Sequence, residues 1–479
     1  MNERSLLSLL PAIGRLVQHP EIERLLADYR REAVTGWLTA ALAELRQTIG
    51  GGRLPEGTSR EELVGLVLRH VEEKRRQVEG LGIRRVVNAT GVIIHTNLGR
   101  APLPASVLAG VPDALDGYTD LEYDLATGAR GRRDTAVARL CRELLPCEDA
   151  TAVNNNAGAL LLILAALGQG GEVIVSRGEL VEIGGSFRIP EIMALSGARL
   201  REVGTTNRTR AADYAAALGG ETRLILQVHR SNFEIVGFTE TPATAELLEL
   251  SNRSGVPLVM DAGSGYLFPQ PGMPAAGEPV IEPLLAQGVP LVCFSGDKLM
   301  GGPQAGLILG RADLVGRIRR HPLMRALRLD KVAIYLLAET LKLYFRNDPA
   351  ARFPHWAMIT ADAATLRRRC QAARRRLLQA APALTGAVAV VEDESLIGGG
   401  STPGQVIHGP CLRIRLPGNR IAACERRLRG WDPPVLVRTG ADCLWVDLRT
   451  VKRGEEPVIV AALATAAVED TDNPPERSE

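Results

Sequence analysis

The sequence predicts an α/β protein: a mainly parallel sheet with helices on both faces, an N-terminal helical domain before it and a small α+β domain after it. Three observations predict this. Apolar, β-rich runs alternate with helical segments through the middle of the chain. Helical periodicity fills the first 80 residues without a strand pattern. Aromatics are only 4% while glycines number 49, so aliphatic and small residues fill a core with many tight strand-to-helix turns.

In chain order, Leu6, Leu10, Ile13, Leu16 and Val17 recur at helical spacing, and Val34, Leu38, Ala41, Leu42, Leu45 and Ile49 stripe a second helix from about Ala33. Gly50-Gly51-Gly52 and Pro55 end it. Thr58-Ser59-Arg60-Glu61-Glu62 reads as the start of a helix running to about Glu79. Arg69, Lys74, Arg75, Arg76, Arg84 and Arg85 make either a polyanion contact or a solvated face neutralised by Glu72, Glu73 and Glu79. Strands are expected at Glu172–Ser176, Arg223–His229, Pro257–Asp261, Leu291–Phe294 and Ala305–Leu309, with helices at Ala157–Leu167 and Thr241–Ser254. In the last region strand-like Ala387–Val391, Cys411–Leu416, Val435–Val437 and Leu444–Leu448 accompany helical Ala422–Leu428 and Pro457–Val468. The expected domains are therefore 1–80, 81–380 and 381–468, with a polar, disordered tail at 469–479.

Lys+Arg 57 against Asp+Glu 55 leaves a net charge of +2, which argues against a globally basic nucleic-acid coat. Seven cysteines without CxxC spacing favour a reducing cytoplasm over a zinc site or a disulfide scaffold, so no metal is expected. Leu6–Ile13 follows acidic Glu3, unlike a signal core, and Ala157–Leu167 is too short for a membrane span.

Ligands in such sheets bind at the carboxyl ends of the strands, which directs attention to three segments. Asn154-Asn155-Asn156-Ala157-Gly158 opens an apolar helix, and a helix N-terminus with small residues seats a phosphate. Val259-Met260-Asp261-Ala262-Gly263 puts a carboxylate at the end of a buried run, and Ser295-Gly296-Asp297-Lys298-Leu299-Met300-Gly301 puts an amine just past another. Taken singly, each reads as an ordinary cap or turn. Together they supply what pyridoxal phosphate (PLP) chemistry requires: an anion cradle, a carboxylate for the pyridine nitrogen and an amine for the aldehyde. No GxGxxG or Walker-type motif competes.

Longer stretches carry a resemblance along nearly the whole chain. They are Val87–Gly91 through His95–Ala101, Leu121–Gly128, Asn154–Asn156, Ser176–Pro190, Val203–Asn207 and the Lys298 segment. Here the chain resembles bacterial selenocysteine synthases, the L-seryl-tRNA(Sec) selenium transferases. Its basic loop Ala129-Arg130-Gly131-Arg132-Arg133 departs from the family's usual Lys-Arg-Gly-Ser-Arg, and Arg230 stands where a smaller residue is common.

The resemblance implies a PLP-dependent transferase of fold type I, assembled from dimers into a homodecamer in the cytoplasm. It implies conversion of seryl-tRNA(Sec) and selenophosphate to selenocysteinyl-tRNA(Sec) through an aminoacrylyl intermediate. Residues 1–80 would then bind the tRNA. Lys298, Asp297 and Asp261 would be catalytic. Lys298, Asp261, Asn155, Asn156, Ala157, Gly158, His229 and Ser295 would hold the cofactor, His229 by stacking on its ring. Arg100, Arg325 and Arg328 would face selenophosphate, the last two on one helix face if that segment is helical, with Arg317, Arg319 and Arg320 as a solvated basic surface nearby. Two other readings are a PLP lyase for a small phosphorylated amino acid or amino sugar, and a tRNA-binding protein without catalysis.

Overall fold

The computed structural model describes residues 3–467 apart from 53, 56, 184–186 and 274–276. The tail expected at 469–479 lies outside the described residues. The chain divides after Arg85 into two compact units.

The first unit is helical: Glu3–Leu9, Ile13–Leu16, Pro20–Asp28, Arg31–Gly50 and Arg60–Glu79. The stripe Leu6–Val17 does not form one helix, because Pro11 lacks the N–H that would continue it. Pro20–Asp28 went unpredicted, although Pro20 at its first position and the His19 ring accepting the Glu21 N–H are start signals. The Ser59 start is a complete capping box: Ser59 Oγ accepts the Glu62 N–H at 3.2 Å, and Glu62 Oε2 accepts the Ser59 N–H at 2.6 Å. Such a cap contributes about 1 kcal/mol. The Val34–Ile49 stripe packs against Leu63, Val67 and Val71. Part of the basic stretch is neutralised along its own helix, Arg75 pairing with Glu72 and Glu79, and Arg76 with Glu72 at 2.9 Å.

In the second unit the large sheet runs Asp149–Val153, Gly306–Gly310, Leu291–Ser295, Leu258–Gly263, Thr222–Val228, Glu172–Ser176, Arg199–Val203. All five expected runs are strands of it. The two unpredicted members each lack the apolar β-rich signature. Asp149–Val153 is buried but built of small residues, and Arg199–Val203 is a largely exposed edge carrying two arginines and a glutamate. Pairing is parallel except around Gly306–Gly310, which is antiparallel to both neighbours. The connection 296–305 is too short for a crossover helix, so the chain must turn back on itself there. That reversal contains Lys298.

The small sheet runs Val87–Ala89, Val435–Thr439, Cys443–Val446, Val406–Arg415, Val388–Leu396. Val87–Ala89 comes from the start of the region expected to be core, pairing in parallel with Val435–Val437. Helix Ala363–Ala380 also belongs here, burying Cys370, Ala373 and Leu377 against Leu412, Ile414 and Leu444. Residues on both sides of the boundary expected at 380/381 thus share one apolar core. Among the described residues no helix is long and apolar enough to cross a membrane.

Candidate active site

Three strand ends and one helix start converge. The helix Asn156–Ile163 follows the buried strand Asp149–Val153, and Asn155 caps it, its Oδ1 accepting the Gly158 N–H at 2.8 Å. The first N–H groups of the helix, those of Asn156 and Ala157, have no intrahelical acceptor and meet the positive end of the dipole, which suits a phosphate. Asn156 itself faces the site: its Nδ2 donates to Asp261 Oδ1 at 2.8 Å, while its Oδ1 is buried without a partner.

Asp261 sits in the strand Leu258–Gly263 and is 6% exposed. Burial raises its pKa, against the Asn156 hydrogen bond and the Lys298 charge. Both hydrogen bonds it accepts, from Asn156 and from Gly263 N at 3.1 Å, fall on Oδ1. Oδ2 is left for a further donor. His229 follows the neighbouring strand Thr222–Val228, its N–H on the Asp261 carbonyl at 2.9 Å and its Nε2 3.2 Å from Glu278 Oε2.

Lys298 lies in the reversal after Leu291–Ser295 and is also 6% exposed. The turn needs glycine at 301, where φ is +73° and a Cβ would stand 2.2 Å from the His355 ring. Burial lowers the Lys298 pKa and the Arg100 charge lowers it further, against Asp261, Asp297 and Glu278. Its Nζ donates to the Gly400 carbonyl at 3.1 Å. Burial raises the Asp297 carboxyl, opposed by Lys298 and Arg100. Ser295 is buried at the strand end. Arg100 is bound into the same place, with its Nη1 on the Gly399 carbonyl at 2.6 Å and the Ala101 N–H on the Asp297 carbonyl at 3.0 Å.

The structure therefore gathers Asn155, Asn156, Ala157, Gly158, His229, Asp261, Ser295, Asp297, Lys298 and Arg100. An orphaned amide oxygen, a buried carboxylate with one oxygen open, free helix N–H groups and a buried amine fit PLP. Arg325 and Arg328 are placed differently. Their helix, Leu323–Leu327, ends before Arg328, whose backbone is extended, so the expected shared face does not form. They line a separate cavity of about 380 Å³ with Arg132, Arg133, Arg320 and Glu122. Arg328 lies 3.5 Å from Glu122, which also holds Arg130 and Arg133 of the basic loop. This cavity adjoins the phosphate seat, since the Leu327 carbonyl accepts the Asn154 N–H at 2.9 Å.

The expectation that Arg319 is a surface residue is wrong. It is largely buried, bonded to Asp134 at 3.1 Å, Asp149 at 2.8 Å and the Ala150 carbonyl at 2.7 Å. Arg320 is exposed. The site residues missed from sequence are Glu278, Thr402 and Gly398–Gly400. The triple glycine was a visible turn signal, but nothing local marks Glu278.

Residues 86–452 match the family model described as L-seryl-tRNA selenium transferase, and residues 7–46 match the one described as selenocysteine synthase N terminal. The L-seryl-tRNA(Sec) selenium transferase of Moorella thermoacetica is 44% identical over 469 residues, 97% of this chain and 98% of that protein. That of Geotalea uraniireducens is 42% identical over 465 residues, 97% of this chain and 100% of its own length. Among solved structures, D-glucosaminate-6-phosphate ammonia-lyase superposes with a TM-score of 0.56 at 20% identity, over 82% of this chain and 98% of that one. At that identity the likeness bears on the fold alone.

Proposed function

The chain belongs to the L-seryl-tRNA selenium transferase family, and from that premise we propose how its own residues carry out the transfer. It is a PLP-dependent enzyme that converts seryl-tRNA(Sec) to selenocysteinyl-tRNA(Sec). The observation that carries our residue assignments is the meeting of Lys298, Asp261 and the Asn155-capped helix start at adjacent strand ends.

When bound, PLP supplies an aldehyde for the seryl amine and an electron sink for charge at the α-carbon. In our reading the N–H groups at Asn156 and Ala157 hold its phosphate, and Asp261 Oδ2 keeps the pyridine nitrogen protonated. His229 would pack against its ring. Lys298, whose burial favours the neutral amine, takes the seryl α-proton and later returns it. Asp297, whose burial favours the protonated acid, delivers a proton to the departing β-hydroxyl. Selenophosphate is the proposed selenium donor, held by Arg100 at the lysine and by Arg325 and Arg328 in the neighbouring cavity. A homodecamer built from dimers and a cytoplasmic location belong to the same proposal. All seven cysteines are free, as a reducing compartment requires. The small-substrate lyase reading leaves the matched helical region 7–46 without a role.

The test is selenium incorporation into seryl-tRNA(Sec) against selenophosphate concentration. Arg100→Ala and Arg325→Ala are expected to raise the half-saturating selenophosphate roughly tenfold to a hundredfold, as for lost charged hydrogen bonds, with cofactor content unchanged. Arg317→Ala, exposed and outside the lining of that cavity, should match the parent. Equal behaviour of Arg325→Ala and Arg317→Ala would remove Arg325 from the pocket.

We also assign tRNA recognition to the first unit. Deleting residues 1–80 should preserve the bound-cofactor spectrum and weaken seryl-tRNA(Sec) binding by roughly a hundredfold or more. Binding by the full chain should fall with salt. Unchanged affinity after deletion would move recognition to the second unit.

A further inference from the structure

One buried carboxylate in the site has no part in the reaction as derived above. Glu278 precedes the helix Ile281–Ala286, and its side chain is 1% exposed. Its Oε2 accepts twice, from the Thr402 N–H at 2.9 Å and from His229 Nε2 at 3.2 Å. The two donors come from different sheets. His229 follows a strand of the large one, and Thr402 ends the Gly398–Thr402 loop, which leaves the small sheet after Val388–Leu396.

That loop lies directly on the lysine. Its Gly399 carbonyl accepts from Arg100 and its Gly400 carbonyl from Lys298. A Cβ at Gly400, where φ is +89°, would stand 2.6 Å from Lys298 Nζ. Thr402 has φ +45°, a conformation that a β-branched residue adopts only when its surroundings hold it. With three glycines before it, the loop has little intrinsic stiffness, so its place depends on these few bonds.

We propose that Glu278 is a positioning residue for the transfer: it ties the Gly398–Thr402 loop to His229, so that the Gly400 carbonyl holds the Lys298 amine at a fixed point whenever that amine is not engaged with the cofactor. This rests on the reading of Lys298 as the cofactor lysine. An amine on a four-carbon stem samples many rotamers, and proton transfer requires it within hydrogen-bond reach of the α-carbon's proton. A carbonyl anchored from two sheets narrows that search.

The experiment compares Glu278→Ala, Glu278→Asp and Glu278→Gln in the full chain, by amide hydrogen exchange of the cofactor-free protein and by turnover of the PLP-loaded enzyme. In Ala and Asp, where the carboxylate is absent or one methylene too short, exchange across 398–402 should accelerate about tenfold, with strands 222–228 and 258–263 unchanged. Turnover number should fall about tenfold in both, without change in the KM for seryl-tRNA(Sec). Gln keeps an acceptor for the Thr402 N–H and should retain slow loop exchange and most of the activity. Parent-like loop exchange in the Asp variant, faster exchange with unchanged turnover number, or a Gln variant as impaired as Ala overturns the proposal. Should Ala lose its fold, Asp and Gln decide alone. Borohydride trapping of the parent enzyme checks the underlying reading separately: cofactor fixed on a peptide without Lys298 would refute that reading whatever the exchange data show.

Discussion

Replacing Lys298 with alanine should abolish selenium transfer, a loss of about 10³-fold or more. The same change should eliminate cofactor that borohydride can fix to the protein. The buried amine stands at the strand ends beside Asp261, and burial together with the Arg100 charge lowers its pKa. Among the described residues of that turn no second lysine stands by to replace it. Tyr344 Oη donates to the Met300 carbonyl and the Leu299 N–H donates to the Ser264 carbonyl, so the turn should keep its shape without the side chain. Affinity for seryl-tRNA(Sec) should therefore survive, which separates loss of chemistry from loss of fold. Parent-level turnover in Lys298→Ala would refute the assignment of the whole site.

The Asp261→Asn substitution should cost about 10²- to 10³-fold in turnover while part of the PLP remains bound. The amide fills the same volume but cannot carry the negative charge that keeps a pyridine nitrogen protonated. It also turns a donor or a neutral oxygen toward Asn156 Nδ2, which now donates to a carboxylate at 2.8 Å. The measurement is exchange of the seryl α-proton with solvent, with no selenophosphate present. A slow exchange that accounts for the whole loss places Asp261 at α-proton removal. An exchange rate equal to the parent's would take the carboxylate away from the cofactor nitrogen.

Much of this protein was legible from contiguous residues. Ser59 and Glu62 sit three apart, as a capping box requires, and the helix begins where they place it. The apolar runs at Glu172–Ser176 and Leu291–Phe294 became strands because their residues could be buried on both faces of a covered sheet. Asp261 and Lys298 were readable as candidate site residues because each ends or follows such a run, and a parallel sheet presents those ends on one edge; Asn155 was readable because it opens an apolar helix. The longer motifs then identified the chemistry.

Other features depend on where the chain goes between distant residues. Gly306–Gly310 reverses direction because its connection is short, and Val87–Ala89 crosses to the small sheet to find Val435–Val437. Arg319 looked like its neighbour Arg320 in sequence. Only the approach of Asp134 and Asp149 makes its burial tolerable, since a buried guanidinium must find carboxylates to offset its lost hydration. Arg328 left its expected helix face because that helix stops at Leu327. Glu278 has no local signature either, and the glycines at 398–400 mark a turn without showing what it meets: Glu278 meets Thr402 and Gly400 meets Lys298 across more than a hundred residues. Local periodicity and caps are written in neighbouring residues, so the sequence alone determined most of the elements, several of their starts and which strand-end residues to inspect. Pairing of strands and compensation of buried charge join residues that only the folded path brings together, and those the tertiary structure decided.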